Sequence, residues 1–430
     1  MSELLLSAVS LDVTPPPGHR LDGYAARADL ATGTADPLRA TMIWLSTADS
    51  PGVLWLSLDA IAVGSALVAE LAAAAAAAAG IPPECVVVCA SHTHSGPSGW
   101  TGQIHPVIPA AREPDLYEPL VAAVASASLP RQPIRASWRS VEVVGVGTNR
   151  HRKNGPHDNT AGVLALHAMD GSPAAILLDF ACHPTTYGPE NLRWSADWPG
   201  AARAALGRAL GGSLGGSLSR DAVVVGFLQG AAGDVSPRFT RQARGAQEVD
   251  RLGGLFAARV AEALTQPGLD LPAAAPTIRR TTARLKVRDL PAPAEATAMV
   301  ATAAAGIHGG LDEPSARIAQ TRLDGARGQA LMSAAELPEH LDLPVSVVVL
   351  GEVAWVHLPV ELFAIHGACL QADSPHPITR VIGYTDGYFG YVVDPDAAQR
   401  GTYEALITFF DQPATNALLT TAATLLAADG

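Results

Sequence analysis

The sequence predicts an α/β fold in which a mixed β-sheet core is flanked by helices. Three observations carry that prediction. Short apolar runs rich in β-branched residues recur along the chain, and helical stretches separate them. In addition, the runs Val141–Val146 and Val163–Leu166 read as antiparallel neighbours, which a uniformly parallel sheet would not contain.

The expected strands are Val53–Leu58, Cys85–Cys89, Val141–Val146, Ala174–Phe180, Ala222–Leu228 and Ser346–Leu350. Each is a short, dominantly apolar run, as a strand buried on both faces or nearly so must be. Ile61–Ala79 predicts a helix closed by Gly80, because glycine readily takes the left-handed conformation that ends a helix. Asp197 predicts the N-cap of a helix over Trp198–Leu210. Arg251–Leu264 predicts another, with Leu252, Leu255, Phe256, Val260 and Leu264 on its core-facing stripe. Gly211–Gly216 reads as a flexible surface connection. The Ala-rich, charged stretch from Ala292 to Leu337 predicts a helical excursion between strands, spanning residues 290–340 in round terms. Leu418, Leu419, Ala422, Leu425 and Leu426 recur at helical spacing and predict a docked C-terminal helix. With no internal repeat and no clear linker, residues 1–430 are expected to form a single composite domain.

Composition excludes several classes of function. The chain has 430 residues, 48% of them hydrophobic and 16% charged, which is too apolar for disorder over most of its length. Its formal charge of -12 would repel a phosphate backbone, so nucleic acid is excluded as a partner and a small molecule is expected. Four cysteines, none in a CxxC pair, are too sparse for a disulfide framework or a thiolate zinc site. The N-terminus has neither a basic leader region nor a long apolar run, and the polyalanine at Ala72–Ala79 is far shorter than the ~20 residues of a membrane span. A soluble, cytoplasmic protein is expected; oligomeric state leaves no mark in the sequence.

The informative places are those where an apolar strand runs into polar residues, because ligands of α/β sheets bind beyond the carboxyl ends of strands. CVVVCASHTHSGPSG leads a strand into His92 and His94, which share a face if the chain stays extended. AAILLDFACHPTT ends in His183, AVVVGFLQGAAGDVSP carries Asp234 and Ser236, and WVHLPVELF places Glu361 past a proline. Each has a blander account when read alone: capping or surface histidines, a core histidine, an Asx turn, a solvated glutamate. Together, three histidines and a carboxylate at strand ends fit a hydrolytic zinc site, in which about three protein ligands leave a position for water. Asp234 reads as a turn residue that orients its loop, and His105, His157 and His357 as structural.

The segments SHTHSGP, TNR (Thr148–Arg150), ACHPTT, SADWPG, FLQGAAGDVSP, LPVELF and GYFGYVVDPDAAQRGTYEA occur in the order found in the catalytic domain of neutral, non-lysosomal ceramidases. The chain resembles that family from Val9–Gly18 to the tyrosine segment near residue 403. The resemblance implies the fold of that catalytic domain and one catalytic Zn2+ held by His92, His183, Glu361 and Tyr391. A further structural Ca2+ or Mg2+ is left open at no located position. His94, Arg150, Ser236 and Tyr403 would line the reaction site, and Tyr388 would be a wall or packing residue. Ser236 is read either as a nucleophile or as a hydrogen-bond donor to substrate. The chain departs from the family at Val360-Glu361-Leu362 and Ser195-Ala196-Asp197-Trp198, and reads as a short form without the leader and C-terminal immunoglobulin-like domain of secreted members. The implied activity is hydrolysis of a linear amide in an N-acylated small molecule or lipid-like substrate. The alternative is a biosynthetic step at the same zinc site, making an amide or ester or opening or closing a ring on a non-lipid substrate.

Overall fold

The computed structural model describes residues 3–101, 113–211, 223–307 and 312–428. His105 and all but the first residue of Gly211–Gly216 lie outside them. Val53–Leu58 forms as expected, every residue buried. It belongs to a nine-stranded sheet in the order Val224–Gln229, Pro173–Phe180, Thr160–Ala168, Gln132–Glu142, Leu5–Asp12, Arg39–Ser46, Val53–Leu58, Val86–Ala90, with Leu269–Asp270 also pairing to Gln132–Glu142. Both ends of this order are parallel pairs and its middle is antiparallel, so the sheet is mixed.

A second sheet joins Thr277–Lys286, His340–Leu350, Val353–His357 and Ile378–Ile382. Trp55 and Trp138 of the first sheet meet Trp355 of the second edge-on, with ring centroids 5.9 and 5.4 Å apart. Burial of such large aromatic surfaces ties the two sheets together. The chain leaving Ile378–Ile382 then threads between the two ends of the large sheet. Gly383 donates its N–H to Gln229 O at 2.9 Å, Ala90 donates to Tyr384 O at 3.0 Å, and Asp386 donates to Val88 O at 2.8 Å.

The helices follow the sequence with shifted borders. The first begins at Ser65 instead of Ile61 and ends at Ala79, with Gly80 left-handed at φ 68°. Ala246–Leu264 buries Val249, Leu252, Phe256 and Val260, while Leu255 and Leu264 stay half-buried. Gln412–Ala427 docks through Leu418, Ala422 and Leu426. The excursion is a pair of helices, Pro293–Ala305 and Glu313–Ala334, inserted between two strands that pair antiparallel.

Three expectations need correction. The run Val141–Val146 is not a strand: pairing runs from Gln132 to Glu142, and Val143–Val146 turns the chain. Val143 and Val146 are buried, and burial rather than pairing accounts for their apolar character, while Val144 is exposed. Cys85 sits in a short 3-10 turn just before the strand Val86–Ala90. Asp197 is the first residue of its helix, at φ 54°, and accepts from Trp198 N at 2.7 Å and also from Thr186 and Tyr187 N–H at 3.3 and 3.0 Å. Its carboxylate thereby anchors the loop that follows His183. Among the described residues no helix is long and apolar enough to cross a membrane.

Candidate metal centre

Three parallel pairs point their carboxyl ends at one place: Val53–Leu58 with Val86–Ala90, Pro173–Phe180 with Val224–Gln229, and Val353–His357 with Ile378–Ile382. The loops beyond carry His92 and His94, His183, Asp234 and Ser236, and Glu361. The two histidine segments are held together by Gln229, which is fully buried. Its Oε1 accepts from Cys182 N at 3.0 Å, while its Nε2 donates to Cys182 O at 2.9 Å and Ser91 O at 3.2 Å.

His92 and His94 do not share a face through extended backbone. His92 is left-handed, at φ 66°, a conformation costing a non-glycine residue about 1–3 kcal/mol. This bend swings the two imidazoles together, edge to face, with centroids 5.0 Å apart and Nε2 atoms 3.4 Å apart. The strain is sustained by the surrounding bonds. Tyr384, itself left-handed at φ 53°, stacks on His92 with centroids 4.0 Å apart.

Each imidazole is fixed through Nδ1. His92 Nδ1 lies 2.7 Å from Ile61 O, His94 Nδ1 2.9 Å from Gly23 O, and His183 Nδ1 2.7 Å from Ala232 O. A carbonyl oxygen can only accept, so each Nδ1 must carry the proton and each neutral ring must present a bare Nε2. The three rings form a group whose donor atoms lie within 4.8 Å of one another. Glu361 Oε2 lies 3.2 Å from both His92 Nε2 and His183 Nε2. Acceptors thus face acceptors across a buried space, an arrangement that a cation relieves. Donors about 2 Å from a common tetrahedral ion stand ~3.3 Å apart, which matches these separations. Burial, reinforced by His92 and His183, pushes His94 well below the ordinary imidazole range. Burial and the Arg150 guanidinium lower His183 to about 4. Both therefore present the neutral, ligating form at neutral pH. Among the described residues no second group of three or more His, Cys, Asp or Glu has this proximity.

Glu361 and Tyr391 are directly opposed in a short parallel pair, which brings the two residues side by side. The Tyr391 hydroxyl accepts from Arg150 at 3.3 Å; burial, then the Glu361 carboxylate, holds its pKa well above the ordinary phenol value. Arg150 is no solvated loop residue. Its second terminal nitrogen lies 3.2 Å from His183 Nε2, and its Nε and Nη2 donate to Glu404 Oε1 at 2.9 and 2.5 Å. The Tyr403 ring stands 6.3 Å from that of Tyr391. Ser236 is buried and caps a short turn, accepting from Arg238 N at 3.3 Å; among the described residues no histidine or carboxylate is hydrogen-bonded to its hydroxyl. Asp234 orients its loop as expected, accepting from Ala364 N at 2.8 Å and Asn149 Nδ2 at 2.6 Å. His157 bonds Gly155 O and Asn159, and His357 accepts from Trp55, both structural contacts.

Sequence reasoning missed several members of the site. Tyr388 is more than wall: its hydroxyl donates to Glu361 Oε1 at 2.5 Å, and Tyr384 donates to Oε2 at 3.4 Å. Three of the chain's seven tyrosines fall within residues 384–391, a signal that was there to find. Glu404 and Gln229 left no such mark.

Gly23 was also missed. A Cβ built on it would lie 2.5 Å from His94 Cγ, and its φ of 99° strains any other residue. Replacing Gly23 with Ala is expected to push His94 out of register while leaving His92 and His183 in place. If His94 acts as a general acid–base group and not as a ligand, metal binding should persist and kcat should fall by about 10²–10⁴. Parallel metal analysis and steady-state kinetics check this.

Fold and site together define an α/β protein with a buried candidate metal centre at the carboxyl ends of its strands. The chain belongs to the neutral/alkaline non-lysosomal ceramidase family, whose N-terminal family model matches residues 5–249, more than half of its length. Among solved structures, it is similar to the neutral ceramidase from Pseudomonas aeruginosa, with a TM-score of 0.76 and 17% identity over 99% of this chain and 74% of that one. It is also similar to a structure described as ceramidase complexed with C2, with a TM-score of 0.74 and 17% identity over 100% of this chain and 77% of that one. At such identity the structural likeness speaks for the fold. No curated protein matches the chain.

Proposed function

We propose that this protein is a zinc-dependent hydrolase of an amide bond in an N-acylated small molecule or lipid-like substrate, with His92, His183, Glu361 and Tyr391 as the ligands. The observation that carries the reading is the convergence of three unprotonated Nε2 atoms and the Glu361 carboxylate, with no donor among these four groups and only Arg150 beside His183 Nε2. When bound, zinc supplies Lewis acidity and a water-derived nucleophile at neutral pH. The remaining work falls to side chains of the chain itself. His94, anchored at Nδ1, takes a proton at Nε2 and returns it to the leaving nitrogen. Arg150 and Tyr403 stabilise negative charge developing on the carbonyl oxygen. With no base beside it, Ser236 is assigned to hold substrate by a hydrogen bond. Four free cysteines suit the reducing cytoplasm assigned to it.

A second arrangement has its own support, because His94 Nε2 belongs to the same close group as His92 and His183. In that arrangement His94 is a ligand and Tyr391 is not. Retention of metal by Tyr391→Phe together with its loss from His94→Ala would select it.

The test of the main reading is metal analysis of chelator-treated and zinc-reconstituted protein, paired with release of amine from N-acyl amides. About one zinc per chain and zinc-restored turnover are expected. Absence of zinc uptake, or turnover indifferent to chelation, would refute it.

A further inference from the structure

Acids outnumber bases in this chain by 41 to 29, yet residues 235–247 contain three arginines and no acid. This segment leaves the site directly, two residues after Asp234 in the case of Ser236. Arg238 donates to Arg150 O at 3.2 Å, and Arg241 donates to Thr185 O at 2.9 Å, so the two are tied to the loops that carry Arg150 and His183. Each tie uses a single nitrogen of a five-donor guanidinium and leaves most of its fork unspent.

The surrounding carboxylates are already engaged. Glu404 pairs with Arg150 and His151, Glu190 with Arg244 at 3.4 Å, and Glu248 with Arg251 at 2.6 Å. Among the described residues neither Arg238 nor Arg241 has a carboxylate within 4.0 Å. Burial, followed by neighbouring arginines, lowers both guanidiniums from their ordinary value. Arg238 is exposed and Arg241 half-buried, so their remaining N–H groups stand open to a ligand beside the site. Phe239, between the two arginines and 44% exposed, lies under the Arg238 guanidinium at 5.4 Å and offers apolar surface beside the charge.

We propose that the substrate carries an oxyanionic group, carboxylate or phosphate, which docks on Arg238 and Arg241 at the rim of the metal centre. This rests on the amide-hydrolase reading and narrows it to anionic N-acyl compounds. Arginine forks bind such groups bidentately, and this fixes the amide's position as well as its affinity.

The test compares zinc-loaded protein on N-octanoylglycine, N-octanoyl-O-phosphoethanolamine and the neutral N-octanoylethanolamine. At least one anionic probe should exceed the neutral one tenfold or more in kcat/KM, and the better of the two names the oxyanion. In Arg238→Gln/Arg241→Gln that ratio should collapse by a similar factor, through KM, with partial rescue by the double Lys variant. Arg244→Gln, whose charge is already paired, should keep the ratio. Equal or better turnover of the neutral probe by the wild type overturns the proposal, as does a ratio indifferent to the double substitution. If no probe is cleaved, calorimetric binding separates the two readings. Anion binding that depends on Arg238 and Arg241 upholds this proposal while amide hydrolysis fails, and no such binding defeats the proposal itself.

Discussion

His183→Ala is expected to lose zinc and, with it, all measurable hydrolysis. The residue contributes one of the converging Nε2 atoms, and an alanine in its place offers no ligand atom. Removing a supporting hydrogen-bond partner from a metal ligand commonly weakens affinity by about 10–100-fold, and removing the ligand itself should exceed that. The fold should survive. Ala232 O loses the ring Nδ1–H but keeps its bond from Val235 N at 2.9 Å, so the loss costs about 0.5–1.5 kcal/mol, the net worth of one hydrogen bond. Equilibrium dialysis with zinc, alongside a thermal melt, separates the two effects. A folded variant that still binds zinc as tightly as the wild type would show that His183 does not hold the ion.

Arg150→Ala carries the second large effect, because one guanidinium does two jobs. Towards the site it stands 3.2 Å from His183 Nε2 and 3.3 Å from the Tyr391 hydroxyl, and in the proposed reaction it would stabilise developing oxyanion charge. Losing one such donor costs about 2.7–4 kcal/mol of barrier, or 10²–10³ in kcat. Away from the site it neutralises Glu404, whose side chain is only 3% exposed. Left with His151 alone at 3.2 Å, that buried carboxylate should destabilise the fold by up to about 3–5 kcal/mol. The sign of the pH dependence follows. Burial opposes ionisation of Glu404, but Arg150 and then His151 overcome it and hold the carboxyl well below its ordinary 4.5. The pair's contribution is therefore complete above that ordinary value and is lost as pH falls through the depressed one. Denaturant unfolding of wild type and Arg150→Ala between pH 3 and 7 should show the gap between them closing towards acid. Arg150→Ala/Glu404→Gln should recover much of the stability and none of the activity. Recovery of both would assign Arg150 a structural role alone.

Much of the site was legible because its chemistry is local. An apolar strand that runs into His-Thr-His, or into Cys-His-Pro, announces a polar group placed at a sheet end whatever the rest of the chain does. The family resemblance rested on the same short segments, and the match over residues 5–249 upholds it. What stayed hidden depends on distance. Glu404 is 254 residues from the arginine it neutralises, and Gln229 joins segments that are 138 and 47 residues away. An isolated glutamate or glutamine carries no sign of its partner.

Periodicity and composition alone were enough for the mixed α/β class, most strand positions and the helical insertion, since these follow from which side chains must leave water. Tertiary structure alone decided how the sheet's two ends meet across residues 383–386, and why His92 bends instead of extending. The physical reason is that burial patterns are written residue by residue, whereas a bare Nε2 exists only once a distant carbonyl has claimed the other ring nitrogen. Ile61, Gly23 and Ala232 supply those carbonyls, and no pattern in the sequence marks any of the three.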